Sequence, residues 1–205
     1  MPTKVRRTSP GSRGTSEYRS GLRAAIRGFW SGVLDRNQFW DAMSRTIRIG
    51  LKRAWHSGAA DCGIAPDELT PAEVLALQDA IDYEHLWIGG LANTIEANSK
   101  AKGGKLTPLF TRIEIWIGRW EGVASQARVM ACTDQKLIWT LGPTENCKSC
   151  KKLAGKVKRN SWWQDNGILP RVHDAWYLDC KGFRCECQIL PTDKPLSRGR
   201  MPNLP

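Results

Sequence analysis

Five cysteines crowd into the last third of the chain, and their spacing limits what that third can become. Cys147 and Cys150 form C-x2-C; after twenty-nine further residues, Cys180, Cys185 and Cys187 form C-x4-C-x-C. A C-x2-C turn aims both thiolates at one point, and a second cysteine group arriving from downstream completes a tetrahedral four-sulfur site suited to Zn2+. Cys147, Cys150, Cys180 and Cys185 are the favoured ligands. Cys187 can substitute, because residues 185 and 187 share a face on a strand. The sequence between the two groups reads as poor in apolar residues, so metal binding would supply its folding free energy, about 10–16 kcal/mol in favourable zinc peptides. Two disulfides with a spare thiol are the alternative closure. A redox C-x2-C lacks its βαβ surroundings, and an all-thiolate set leaves no open position for a catalytic ion. Cys62 and Cys132 stand alone and are assigned no role.

No Ser/His/Asp or Cys/His arrangement can be assembled from His56, His85 and His173, and the Walker and Rossmann glycine fingerprints are missing. The chain is therefore expected not to be an enzyme. Of the histidines only His173, in the loop before Cys180, is close enough in sequence to serve as a further ligand.

Upstream, the pattern is helical. Leu22, Ile26, Phe29, Trp30 and Val33 make one apolar face. Asp35 and Gln38 read as a capping box opening the next helix, where Phe39, Met43, Ile47, Leu51 and Trp55 step by four. Thr70, Pro71 and Glu73 open another, running through Val74, Leu77, Ile81, Ile88, Leu91 and Ile95 with a kink expected at Gly89-Gly90. Thr107-Pro108 begins a last long helix through Leu109, Ile113, Trp116, Trp120, Val123, Ala127 and Met130. These spacings predict a long helical hairpin packed on a helix pair. Beyond Cys132 the texture changes to a short strand at Lys136 to Leu141 and frequent turns. The fold class is thus α+β and predominantly helical. Its parts are a basic arm without fixed structure (1–16), a helical domain (17–132), a Cys-rich module (133–192) and a Pro-rich basic tail (193–205).

Charge is uneven. The formal net charge is +11, with seven Lys/Arg against one acid in residues 1–28, eleven against thirteen in 29–135, and thirteen against six in 136–205. Basic ends draw polyanions, nucleic acid above all. Lys156, Lys158, Arg159 and Arg171 lie among Trp162, Trp163 and Trp176, a mixture that can stack on bases or meet a protein partner. No apolar run approaches a membrane span, and no apolar stretch follows the basic N-terminus, so neither membrane insertion nor secretion is expected.

The stretch from Leu137 to Pro191 resembles phage minor head proteins of the Mu F-like head morphogenesis family. The shared elements are a Trp-bearing strand, C-x2-C followed by Leu153 and Gly155, a Trp and a Pro-bearing loop, and a closing C-x-C at Cys185 and Cys187. The family typically closes on His-Pro-x-Cys-Arg-Cys. Here the His-Pro is absent, Glu186 separates the cysteines, and Cys180 with Gly182-Phe183-Arg184 stands in its place, favouring a sulfur-only set. The resemblance implies a virion component acting in head assembly, associated with portal and capsid proteins and with packaged double-stranded DNA. It would be found in the phage head, and in the host cytoplasm during assembly. A zinc-stabilised nucleic-acid-binding module without a virion role is the alternative. The sequence sets no oligomeric state.

Overall fold

The computed structural model describes residues 10–143, 145–172, 175–183 and 185–205, with the backbone alone at residues 10–12. Seven helices and a three-stranded sheet are found among them: α1 (Pro10–Ser31), α2 (Arg36–Ala60), α3 (Pro71–His85), α4 (Ile88–Ala97), α5 (Thr107–Ala131), β1 (Lys136–Thr140), α6 (Lys148–Leu153), β2 (Val157–Arg159), α7 (Asn160–Asp165) and β3 (Gln188–Pro191). The chain is predominantly helical α+β. No helix among the described residues is long and apolar enough to cross a membrane.

Both predicted capping boxes form. Asp35 Oδ1 accepts from Gln38 N at 2.8 Å while Gln38 Oε1 accepts from Asp35 N at 3.0 Å, and Thr70 and Glu73 make the same exchange. Each box satisfies amides that the first helical turn leaves open. Three boundaries differ from expectation. α1 begins at Pro10, inside the segment read as an unstructured arm, because proline suits the first turn and Tyr18 packs inward; residues 1–9 lie outside the described residues. α1 ends at Gly32, whose φ of 82° turns the chain so that Val33 N and Leu34 N both donate to Gly28 O. That closure is of the Schellman type. It carries Val33 out of the apolar face and into solvent.

The third departure is the long helix from Thr70, which breaks at Leu86-Trp87 rather than at the glycines. Leu86 N and Trp87 N bond three residues back, to Tyr83 O and Glu84 O, and this tighter turn separates α3 from α4. Consequently α2, not a hairpin, is the central element. It packs extensively on both α1 and α5, while α3 rests on α2 and α5, and α4 on α1 and α2. Phe39, Met43, Ile47, Leu51 and Trp55 are fully buried there, with Trp120, Ile113, Leu22 and Ile26 around them.

A second core forms on β1. The sheet order is β2-β1-β3 with both pairings antiparallel, Leu137 facing Lys158 on one side and Pro191 on the other. Trp139, Leu153, Trp163, Leu178 and Ile189 are buried against Cys150, Cys185 and Cys187. The segment between the cysteine groups therefore supplies an apolar core of its own, contrary to the reading that it could not.

The last fifteen residues do not hang free. Ser197 N donates to Val157 O and Ser197 Oγ accepts from Val157 N, at 3.0 and 2.9 Å, and Lys152 Nζ reaches Asn203 O at 2.8 Å. Met201 and Leu204 cover the second core.

Close approach of α2 to α5 sets a sharp steric limit. A Cβ on Gly58 would lie 2.2 Å from Ala124 O, whereas one on Gly118 would meet nothing within 4 Å. Gly58→Ala is expected to cost about 1–3 kcal/mol, while Gly118→Ala should be neutral or stabilising by up to about 1 kcal/mol. Urea midpoints measured for the two variants check this directly.

Candidate metal centre

Four local devices bring the cysteines together. Cys147 is the N-cap of α6; its Sγ accepts from Cys150 N at 3.4 Å, so the six-residue helix aims the first pair. Lys181 and Gly182 both take positive φ, 49° and 74°, and Phe183 N returns to Cys180 O at 2.7 Å, turning Cys180 back toward α6. A Cβ on Gly182 would strike Val172 O at 2.3 Å, so this turn needs glycine for space as well as conformation. Gly142, just before the first pair, lies against Glu186 so closely that an added Cβ would sit 2.5 Å from Glu186 O. Asp179 ties the two halves: Oδ2 accepts from Ser149 N and Ser149 Oγ at 2.7 and 2.6 Å, and Asp179 N donates to Ser149 Oγ at 3.0 Å. Those bonds, side chain first, hold the Asp179 carboxyl below the usual range.

The five sulfurs converge on Cys150. Those of Cys147, Cys150 and Cys180 lie within 4.8 Å of one another, as do those of Cys150, Cys185 and Cys187. Cys150 Sγ and Cys185 Sγ are 3.8 Å apart. Cys147, Cys150, Cys180 and Cys185 line a cavity of 260 Å³ with Glu145, Asn146 and Phe183. Cys187 stands behind it, fully buried, its Sγ 3.2 Å from Asn146 Oδ1. Protons are shared unequally. Hydrogen bonds to Cys180, Cys185 and Cys187, with burial, push the Cys150 thiol up. Bonds from Cys150 and Cys185 pull the Cys180 and Cys187 thiols down. These converging sulfurs are a donor set that could hold a metal ion.

Cys62 and Cys132, read as solitary, instead form a disulfide with a Cα separation of 5.0 Å across a sequence separation of 70. It joins the end of α2 to the end of α5. All five clustered cysteines are free. His56 and His85 belong to the helical body, and His173 lies outside the described residues.

The basic residues named with the site divide. Lys158 sits over the Trp162 ring at 5.7 Å and donates to Ser197 O, Arg159 is exposed and bonds Asp134 O, and Lys156 is half-buried beside them. Arg171 is turned inward and buried: its Nε donates to Cys187 O at 3.0 Å, in a backbone of positive φ, 61°. A surface contact through its guanidinium is thereby replaced by a tether to the sulfur cluster. Ser149, Asp179 and Asn146 gave no such signal in sequence, their partners being thirty or more residues away.

The module is fixed to the helical body along α5. Arg128 pairs with Asp61 at 2.6 Å and reaches Ile189 O, and Arg119 bonds both Arg171 O and Glu84. Comparison with protein-family models, curated proteins and solved structures returned no match.

Burial of Glu84, opposed by Arg119, raises its carboxyl to about 7 from an ordinary 4.5. The folded state therefore holds a proton that the unfolded chain releases, so this contribution is full below the unfolded pKa and fades as pH rises from 4.5 through 7. Between those limits the wild type should lose up to about 3 kcal/mol that Glu84→Gln does not. Unfolding curves taken across the interval measure the difference.

Proposed function

We propose that this chain is a phage minor head protein acting in head morphogenesis, in which a zinc-closed cysteine cluster fastens a small module to a helical body that docks on portal or capsid subunits. The observation that carries the fastener is the convergence of five sulfurs on Cys150 inside an apolar core. A four-thiolate zinc site with Zn–S of about 2.3 Å has sulfur–sulfur edges of about 3.8 Å, and the Cys150–Cys185 separation equals that edge. Cys147, Cys150, Cys180 and Cys185, around one cavity, would hold the ion; Cys187 is the reserve ligand. The ion would draw the thiolate charges together and displace the remaining protons. Because the module has its own apolar core, the metal adds to burial rather than replacing it. The role is structural, and no catalytic step is assigned.

The virion reading is supported by the resemblance of residues 137–191 to the Mu F-like head proteins. The residues that carry it sit as follows: Trp139 on β1 is buried, Leu153 closes α6, and Gly155 turns at a φ of 72°. Contact with packaged DNA is supported by the Lys158–Trp162 pair and exposed Arg159. These same residues favour the second reading, a zinc-stabilised module that binds nucleic acid outside a virion.

Metal analysis in reducing buffer should find one zinc per chain. Cys150→Ser, which breaks both sulfur triads, should fall below half an equivalent, while Cys187→Ser stays near one. Co-expression with portal subunits separates the two readings: a head protein stays with purified portal rings after nuclease treatment. A nucleic-acid module instead leaves the rings and binds duplex with a log-log salt slope of roughly −0.9 per phosphate contacted.

A further inference from the structure

Helices α3 and α4 do not close on the first half of α5. Between them lies a cavity of 440 Å³, the size of a side-chain or ligand pocket. Arg112, Ile115, Trp116 and Arg119 recur at i, i+3, i+4 and i+7, so one continuous face of α5 forms its wall. Across from it α4 offers Gly90, where an added Cβ would meet nothing within 4 Å. Trp87 and Phe183 stand at the rim, 55% and 52% exposed. Large apolar side chains gathered in this way mark an interaction surface.

The charges at the groove say what it accepts. Arg119 is already paired with Glu84 at 3.0 Å. Arg112 is exposed, donates only to Thr94 Oγ1 among the bonds described, and forms no ion pair among the described residues. A fitting occupant brings apolar side chains and a carboxylate.

The chain itself displays that combination along α3 and its C-cap, Leu86. Leu75, Asp79, Asp82 and Leu86 fall at i, i+4, i+7 and i+11, a single stripe, and all four are exposed. Asp82 accepts from Gln78, and neither aspartate forms an ion pair among the described residues. Through Tyr83 and Glu84, α3 is also one lip of the groove. Stripe and groove thus lie side by side, which is what a self-complementary two-fold contact requires. Nor does the net charge of +11 oppose the approach, since residues 29–135 carry eleven basic against thirteen acidic side chains.

We propose that two copies of this chain pair about a two-fold axis, the α3 stripe of each entering the α4–α5 groove of the other, with Asp79 or Asp82 meeting Arg112 of the partner subunit. This pairing is independent of the virion reading and of metal content.

Sedimentation equilibrium of the full chain at tens of micromolar and about 150 mM salt, where screening is short-ranged, tests it. The expected mass is twice 23.0 kDa, falling to the monomer on dilution. Arg112→Glu alone, and Asp79→Arg with Asp82→Arg, should each weaken association at least tenfold with the helical circular dichroism unchanged. Mixing these two charge-reversed proteins should restore a dimer. Trp87→Glu should also dissociate it. A chain that stays monomeric throughout overturns the pairing and leaves the groove to an acidic amphipathic helix of another protein. A dimer indifferent to these substitutions, or one that mixing does not recover, overturns it as well.

Discussion

The architecture depends on α5 being buried along most of its length in two unlike cores. Its first turns place Leu109, Ile113, Trp116 and Trp120 among the helices; its last turns carry Val129 and Cys132 into the core built on β1. A helix embedded this way must satisfy whatever polar groups it carries, because a buried guanidinium without partners costs several kcal/mol. Here they become joints. Ser125 Oγ accepts from Ile189 N, and Arg128 spans Asp61 of the helical body and Ile189 O of the sheet. Residues that interrupt the apolar pattern of α5 are the ones that fix the module to it.

The sulfur cluster is built on the same principle of burial with satisfied partners. A protonated thiol behaves as a small hydrophobe, so Cys150 and Cys185, whose thiols are pushed up, can serve as core residues beside Trp139 and Ile189. Hydrogen bonds from Cys150 and Cys185 lower the Cys180 thiol, which is half-exposed at the cavity, and the Cys187 thiol, whose backbone carbonyl receives the buried Arg171 guanidinium. The module does not need to choose between a packed core and a ligand set. Its sulfurs belong to both.

Local signals were legible in the sequence and non-local ones were not. Asp35 with Gln38, and Thr70 with Glu73, announced two helix starts because a capping box involves four consecutive residues. The α2 stripe from Phe39 to Trp55 was readable for the same reason, since periodicity is a property of one helix. The break at Leu86-Trp87 was not: Gly89-Gly90 is the stronger local signal, but the chain tightens where α3, packed on α2 and α5, gives way to α4, packed on α2 and α1. The Cys62–Cys132 link was hidden by 70 residues of separation. The fold class and the convergence of the cysteines could be read from spacing. The inward turn of Arg171 could not, because its partner is the backbone of Cys187 rather than any recognisable side chain.

Folding also sorts the charge that composition only totals. Ser197 bonds Val157 through both backbone and side chain, and so brings the segment carrying Arg198 and Arg200 alongside Lys156, Lys158 and Arg159. Basic residues forty positions apart become one neighbourhood, and their fields add where isolated lysines would be screened. The apolar groove lies instead along α3, α4 and α5, whose stretch of chain is nearly neutral. Clustered basic side chains and the apolar groove therefore occupy different parts of one small molecule. The joint along α5, where Arg128 spans Asp61 and Ile189 O, sets the distance between the two.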